Sequence, residues 1–267
     1  MQSLPAPSAL ERERRRYRRG RTAASIGVSL ISTVVLALVM WWVVVRSPGW
    51  QVTRETFFDP DYFMAALPLV AQGMVTNLKV LAVAAIGVAV LAVLLAGLRS
   101  LRGPVFFPLR FLAAAYTDIF RGTPFLIVLY VVGFGVPALG LTDQVIPIEL
   151  LGTVALVLTY SSYVAEVLRA GIEAVHPSQR LAARSLGLSH YGSLRLVVLP
   201  QAVRKVTPAL MNDFVSMQKD VGLISVLGAV DAVRAAQIQV ALTYNYTAYV
   251  VAGLLFVVLS WPFIRLT

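Results

Sequence analysis

Apolar and polar positions fall into long alternating blocks along the chain. Residues 23 to 45, AASIGVSLISTVVLALVMWWVVV, carry no charge. About 20 apolar residues cross a bilayer as a helix, so this block predicts a membrane span. Residues 46 to 71 interrupt the pattern with prolines at 48, 60 and 68 and the acids Glu55, Asp59 and Asp61, which predicts an external loop carrying an interfacial helix. The next span is VLAVAAIGVAVLAVLLAGL, 80 to 98, with Lys79 free to snorkel at its outer end. In residues 108 to 121, Arg110, Ala114, Thr117 and Arg121 recur at helical spacing as one polar stripe, as expected of a helix lying on the inner interface. Thr123 is then expected to cap a helix that starts at Pro124 and spans toward Leu139.

A short outer turn, GLTDQVIP, leads to a fourth span over 148 to 168. Residues 206 to 226 are interrupted by proline and carry Asn212, Asp213, Ser216, Lys219 and Asp220. They read as a fifth span lined by water or protein rather than lipid. The last block, 247 to 264, ends at Arg265. The pattern predicts an all-α integral membrane protein of about six transmembrane helices.

Charge supplies the orientation. The 267 residues are 58% hydrophobic, 13% charged and carry a formal charge of +10. Seven arginines lie in 12 to 21, three more in 99 to 110, and six basic residues in 169 to 205, each group between apolar blocks. This is the positive-inside pattern, and it places both termini in the cytoplasm. The same placement argues against nucleic acid as the partner and for anionic lipid headgroups around the N-terminal arginines. The apolar run after those arginines is too long for a signal peptide's core and lacks a cleavage site, so it reads as a retained helix. The chain has no cysteine and two histidines, both in one loop, so no metal site is expected. It has no Walker GxxxxGK[ST] sequence with which to bind ATP.

The basic loop 169 to 200 contains LAARSLGLSHYGSLRLVVLP, 181 to 200. Ala182 and Ala183 allow another backbone to approach, Gly187 can take positive φ at a helix end, and Pro200 favours an extended residue before it and a new helix after it. Helix, turn and second helix are expected.

An alanine pair, then a glycine, then an aliphatic residue and Leu-Pro resembles the EAA loop of ABC importer permeases, here Ala182, Ala183, Gly187, Val197, Leu199 and Pro200. The family's usual glutamate is Leu181 here. FRGTPFLIVLY from 120, SYVAEVLRAGI from 162 and NDFVSMQKDVGLISVLG from 212 resemble the polar amino acid subfamily, in the same order. The resemblance covers residues 72 to 265 and implies a type I (MetI-like) permease domain at 72–267. Residues 1–22 form an arginine-rich tail, 23–45 an added helix and 46–71 the external loop. It further implies a bacterial cytoplasmic membrane protein, not itself an enzyme, that carries a polar amino acid. A solute-binding protein delivers that solute from outside, and a second permease subunit, identical or a sister chain, completes the path. ATP and magnesium belong to partner ATPase subunits seated on the loop. A passive six-span channel, or an importer of another small polar solute, is the alternative.

The candidate translocation path comprises Glu166, Asn212, Asp213, Ser216 and Lys219. Glu166 lies about one turn from the inner end of its span, where pairing with Arg169 and lining a path are equally consistent with the pattern. Asn212, Ser216 and Lys219 form one helical stripe flanked by Asp213 and Asp220. Such groups face a partner helix or a path, because lipid would penalise them.

Overall fold

The computed structural model describes residues 8–101, 103–140 and 146–266. The chain divides into two units, Met1–Glu55 and Thr56–Thr267. The first contains α1 (Ala9–Val45) and most of α2 (Trp50–Phe57). Ser8 caps α1 by accepting from the Glu11 amide, so the arginine-rich stretch expected as a tail continues the spanning helix from Ala9 onward. The apolar part, Ser25–Val45, has no buried residue. Its few hydroxyls bond within the helix, Ser32 and Thr33 both donating to the Ser29 carbonyl, which keeps them tolerable in lipid.

The second unit is a helical bundle. Its elements are α3 (Pro60–Ser100), α4 (Phe107–Gly122), α5 (Phe125–Tyr130), α6 (Val136–Ala138), α7 (Ile148–Glu173), α8 (Pro177–Ser185), α9 (His190–Ser193), α10 (Leu199–Asp220), α11 (Ala232–Thr243) and α12 (Thr247–Leu266). No strand occurs among the described residues. Four helical stretches are long and apolar enough to cross a membrane, or six if α4 with α5–α6 and α9–α10 with α11 are each one broken span. The outer turn expected at 140–147 falls largely on 141–145, outside the described residues.

Helix α3 begins earlier than its hydropathy predicts. The Asp59 carboxylate accepts from the Asp61 and Tyr62 amides, and Pro60 occupies the first turn, where its missing N–H is harmless. Residues 60–71 are therefore helix rather than loop, and Pro68 is carried inside it. Lys79 consequently lies mid-helix, not at an end. Along α3, Val70, Met74, Asn77, Leu81, Ala84, Val88, Ala92 and Leu95 form one buried stripe, while Val83, Ile86, Val90 and Val93 are exposed. Exposed apolar side chains on this scale suit lipid as the solvent.

The stripe is shared among three partners. Val80, Leu81, Ala84 and Val88 pack with Leu151, Ala155 and Leu156 of α7 and with Met217 and Ile224 beyond them. Ala66, Val70 and Met74 meet Ala232 and Ala236 of α11 and Ala248, Val251 and Ala252 of α12. Ala92 and Leu95 meet Ala113 of α4 and Ala165 of α7.

Helix α11 is not foreshadowed by hydropathy, because half of its apolar residues are alanine and its start is set by a tertiary contact. Asp231 caps it by accepting from the Arg234 amide at 2.8 Å. Buried Asn77 of α3 donates to the Asp231 carboxylate at 2.9 Å and accepts from the Ala232 amide at 2.9 Å.

The α4–α5 junction also differs from expectation. Thr123 donates back to the Ile119 carbonyl at 2.8 Å, and Pro124 is extended, with ψ 134°, rather than the first helical residue. A residue preceding proline is driven out of the helical region, so α4 ends here and the axis turns by 106°. In the polar stripe of α4, Thr117 is fully buried and donates to the Ala113 carbonyl, Arg110 and Ala114 are half-buried, and Arg121 is exposed.

At Gly73 a Cβ would lie 2.5 Å from the Asp231 carbonyl carbon and oxygen, which are backbone and cannot rotate away. Gly73→Ala should lower the thermal midpoint of the purified protein, consistent with a cost of about 1–3 kcal/mol for overpacking. Gly253→Ala, where a Cβ meets nothing within 4 Å, should leave the midpoint unchanged or raised. Equal melting of the two variants would disprove the close α3–α11 approach.

Candidate functional site

The loop expected as helix, turn and second helix takes that form. Helix α8 ends in a left-handed turn at Gly187, φ 84°. The Leu188 amide bonds the Ala183 carbonyl and the Gly187 amide bonds the Arg184 carbonyl, which satisfies two carbonyls of the last turn. Ser189 then caps α9 through the Gly192 amide. Ala183 is buried while Ala182 is exposed, and a Cβ on Gly187 would meet nothing within 4 Å. Positive φ is therefore what requires glycine here; the close approach expected at this position does not occur within the chain. Leu181, Leu186 and Tyr191 stand exposed around the turn.

Pro200 does not start a helix after an extended residue. Leu199 is helical, with φ −59° and ψ −44°, and the chain runs from α9 into α10 through a wide π-type turn over Leu194–Val198. The Leu199 amide bonds the Leu194 carbonyl, five residues back, and Gln201 Nε2 donates to the Val197 carbonyl at 3.0 Å. The extra residue in the turn gives the proline ring room without breaking the helix.

Further along α10 the polar residues separate into two groups. Asp213, Ser216 and Asp220 recur at helical spacing and line a cleft of about 290 Å³ with Phe125 of α5 and Thr159, Tyr160 and Tyr163 of α7. Tyr160 donates to the Asp220 carboxylate at 2.8 Å. One Asp213 oxygen and the Thr159 hydroxyl are buried without a hydrogen-bond partner among the described residues. Asp213 also faces a smaller apolar cavity of about 150 Å³, lined in part by Ala85, Val88 and Met217. Asn212 and Lys219, by contrast, are exposed on another face of α10. The structure thus brings together Asp213 and Ser216 but not Asn212 and Lys219. It adds Tyr160, Tyr163, Thr159 and Phe125, which a single helix's polarity could not reveal because they come from other elements. Gln218, fully buried, ties α10 to α12 by donating to Ser260 at 2.9 Å.

Glu166 is the centre of an ion-pair cluster. It lies 2.6 Å from Arg99 of α3, 2.5 Å from Arg169 on its own helix and 3.9 Å from Arg121 of α4. Arg169 reaches on to Glu173 at 2.5 Å. The pairing with Arg169 is present, and Arg99 is the partner that sequence spacing could not supply, being 67 positions away. Tyr163, one turn before Glu166, opens onto the cleft, so the cluster sits next to it at the α4–α7 contact. No group of histidine or carboxylate side chains suited to a metal ion occurs among the described residues.

Comparison with known proteins agrees with this geometry. Residues 103–267 match the family model described as binding-protein-dependent transport system inner membrane component. The arginine transport system permease protein ArtQ of Bacillus subtilis is 34% identical over 194 residues, 72% of this chain and 86% of that protein. A putative glutamine transport system permease protein, GlnP of Rickettsia conorii, is 37% identical over 185 residues, 69% of this chain and 82% of that protein. The crystal structure of an amino acid ABC transporter with histidines superposes with a TM-score of 0.68 at 34% identity, covering 74% of this chain and 91% of that one. With the left-handed glycine turn, the broken helices and the polar cleft in the matched region, this chain belongs to the family of binding-protein-dependent transport system inner membrane components.

Proposed function

We propose that this chain is the membrane-spanning permease subunit of an ATP-driven importer for a polar amino acid, with the cleft at Asp213 forming part of its path. The observation that carries this reading is the convergence of Asp213, Ser216, Asp220, Thr159 and Tyr160 on one cleft, with an Asp213 oxygen left unpartnered. A buried carboxylate oxygen without a donor is costly in protein and more so near lipid, and a solute ammonium or guanidinium would satisfy it. Two carboxylates line this cleft and no cationic side chain does, which favours solutes carrying positive charge. The relatives named for arginine transport and solved with histidines support the same class.

In this reading the α8–α9 loop seats an ATPase subunit that binds ATP and magnesium. A second permease subunit completes the path, and a solute-binding protein supplies it from outside the bacterial cytoplasmic membrane. Exposed Leu181, Leu186 and Tyr191 give the loop an apolar docking face. ATP-driven closure of the ATPase pair pulls on α8 and α9, and α10 moves with α9 because no break separates them. The Glu166 cluster holds the inner ends of α3 and α7 together when the path is closed on that side.

Uptake into liposomes containing the assembled transporter tests the cleft. Asp213→Asn should reduce uptake of arginine or histidine by roughly tenfold or more, as expected for a charge-assisted hydrogen bond, and reduce glutamine uptake much less. Unchanged kinetics for all three solutes would remove Asp213 from the path.

The loop is tested by coupling. Gly187→Val should lose most solute-stimulated ATP hydrolysis, because a branched residue resists positive φ by about 1–2 kcal/mol. Gly187→Asn, which tolerates that region, should retain hydrolysis, as should Leu181→Glu. Full coupling in Gly187→Val would show that the turn is not the joint.

Topology is tested with single cysteines in a chain that has none. Ser178→Cys and Ser185→Cys, both at exposed positions, should resist an impermeant thiol reagent in intact cells and react in inverted vesicles. Ser193 is buried and would resist from either side, so it is no reporter. Labelling from outside would reverse the orientation with both termini cytoplasmic.

A further inference from the structure

Beneath the spans, between the ends of α3 and α7 and the α8–α9 loop, lies a cavity of about 520 Å³. Its charged lining comprises Arg99, Arg169, Glu173, Arg180 and Arg184, with His190 at its edge. Two of the four guanidiniums are already neutralised: Arg99 by Glu166, and Arg169 by Glu166 and Glu173. The other two have no carboxylate within ion-pair distance among the described residues. Arg180 donates one terminal N–H to the Ile172 carbonyl at 2.5 Å, while its Nε is shielded from solvent without an acceptor. The Arg184 side chain is exposed and makes no hydrogen bond or ion pair among the described residues. The cavity therefore holds two uncompensated positive charges and a buried donor lacking its acceptor.

We propose that this cavity is a binding site for a phosphate-bearing anion that bridges the α8–α9 loop to the inner ends of the spans. Guanidinium forks match a phosphate's oxygens two at a time, and a phosphate supplies several acceptors at once to donors on different elements. The volume exceeds what a simple halide fills and accommodates a phosphodiester headgroup. The site lies at the inner end of α3, where its apolar stretch gives way to Arg99, so the headgroup of an acidic phospholipid at the inner membrane boundary can reach it. Free phosphate offers the same oxygens from solution. The anion would stiffen the contact between loop and bundle, making coupling depend on it. This inference goes beyond the importer reading and stands on the cavity alone, so it is tested by binding rather than by transport.

The full chain, purified in lipid-free detergent, is incubated with phosphatidylglycerol or phosphatidylcholine and the retained lipid is counted by native mass spectrometry; in parallel, inorganic phosphate is added in a thermal melt. Phosphatidylglycerol should be retained in preference to phosphatidylcholine. That retention should fall roughly tenfold in Arg180→Gln and Arg184→Gln and be unchanged in Arg265→Gln, a surface arginine stacked on Trp261. Stabilisation by inorganic phosphate, lost in Arg184→Gln and without lipid preference, would support the site and assign it to free phosphate. Because the Arg184 side chain makes no hydrogen bond or ion pair among the described residues, its variant keeps the test valid if Arg180→Gln fails to fold. Absence of both responses, or equal loss in all three variants, would overturn the proposal. So would displacement of the bound lipid or phosphate by the ATPase subunit, since the cavity would then belong to a protein interface.

Discussion

The close run of α3 along α7 is the contact on which the rest of the bundle depends. Without a hydrophobic driving force between helices in lipid, association needs backbones near enough for dense packing. Ala84 and Ala92 on one side and Ala155 and Ala165 on the other supply that proximity. Once the two helices are parallel neighbours, Arg99 comes to lie against Glu166, and the first half of α3 is left to receive α11 and α12. The cleft lies against residues 159–163 of α7 and the basic cavity against its last turn, so both inherit their geometry from this pair.

Glu166 illustrates why an intramembrane acid need not choose between holding and lining. Breaking a largely buried ion pair on one side leaves an uncompensated charge at a cost of about 3–5 kcal/mol. Three arginines around one carboxylate reduce that risk, because separating any one of them still leaves partners for it. A cluster of this kind can loosen stepwise where a single pair would have to break outright.

Much of the architecture was legible because lipid imposes a coarse rule, with apolar blocks of spanning length between basic loops. The first span, α7, α12 and the turn at Gly187 followed from hydropathy and glycine chemistry alone. What escaped depended on contacts distant in sequence. Helix α11 is started by Asn77, 154 positions from the Asp231 carboxylate it bonds. The cleft residues Tyr160 and Thr159 sit in a run of hydroxyl-bearing residues, 159 to 163, whose spacing alone does not say which of them face another helix. Spacing groups Asn212 and Lys219 with Ser216 as readily as it groups Asp213 and Asp220 with it, and only the packing of α10 decides that the first pair is exposed and the second faces the cleft. Proline chemistry departs from expectation at both junctions: Pro124 is the extended cap of α5 rather than its first helical residue, while Pro200 is absorbed by a wide turn.

That wide turn has a mechanical consequence. From His190 to Asp220 the helix is unbroken, so at about 1.5 Å per residue some 45 Å of rod joins the loop to the last carboxylate of the cleft. A rod does not damp displacement; it relays it. The bulge before Pro200 is the compliant place in its first turns, and twisting there would swing Asp213, Ser216 and Asp220 together about the helix axis. A shaft with torsional springs at this bulge and at Pro208, both before Asp213, converts a small push on the loop into a coordinated turn of three side chains, without any of them having to move relative to the others.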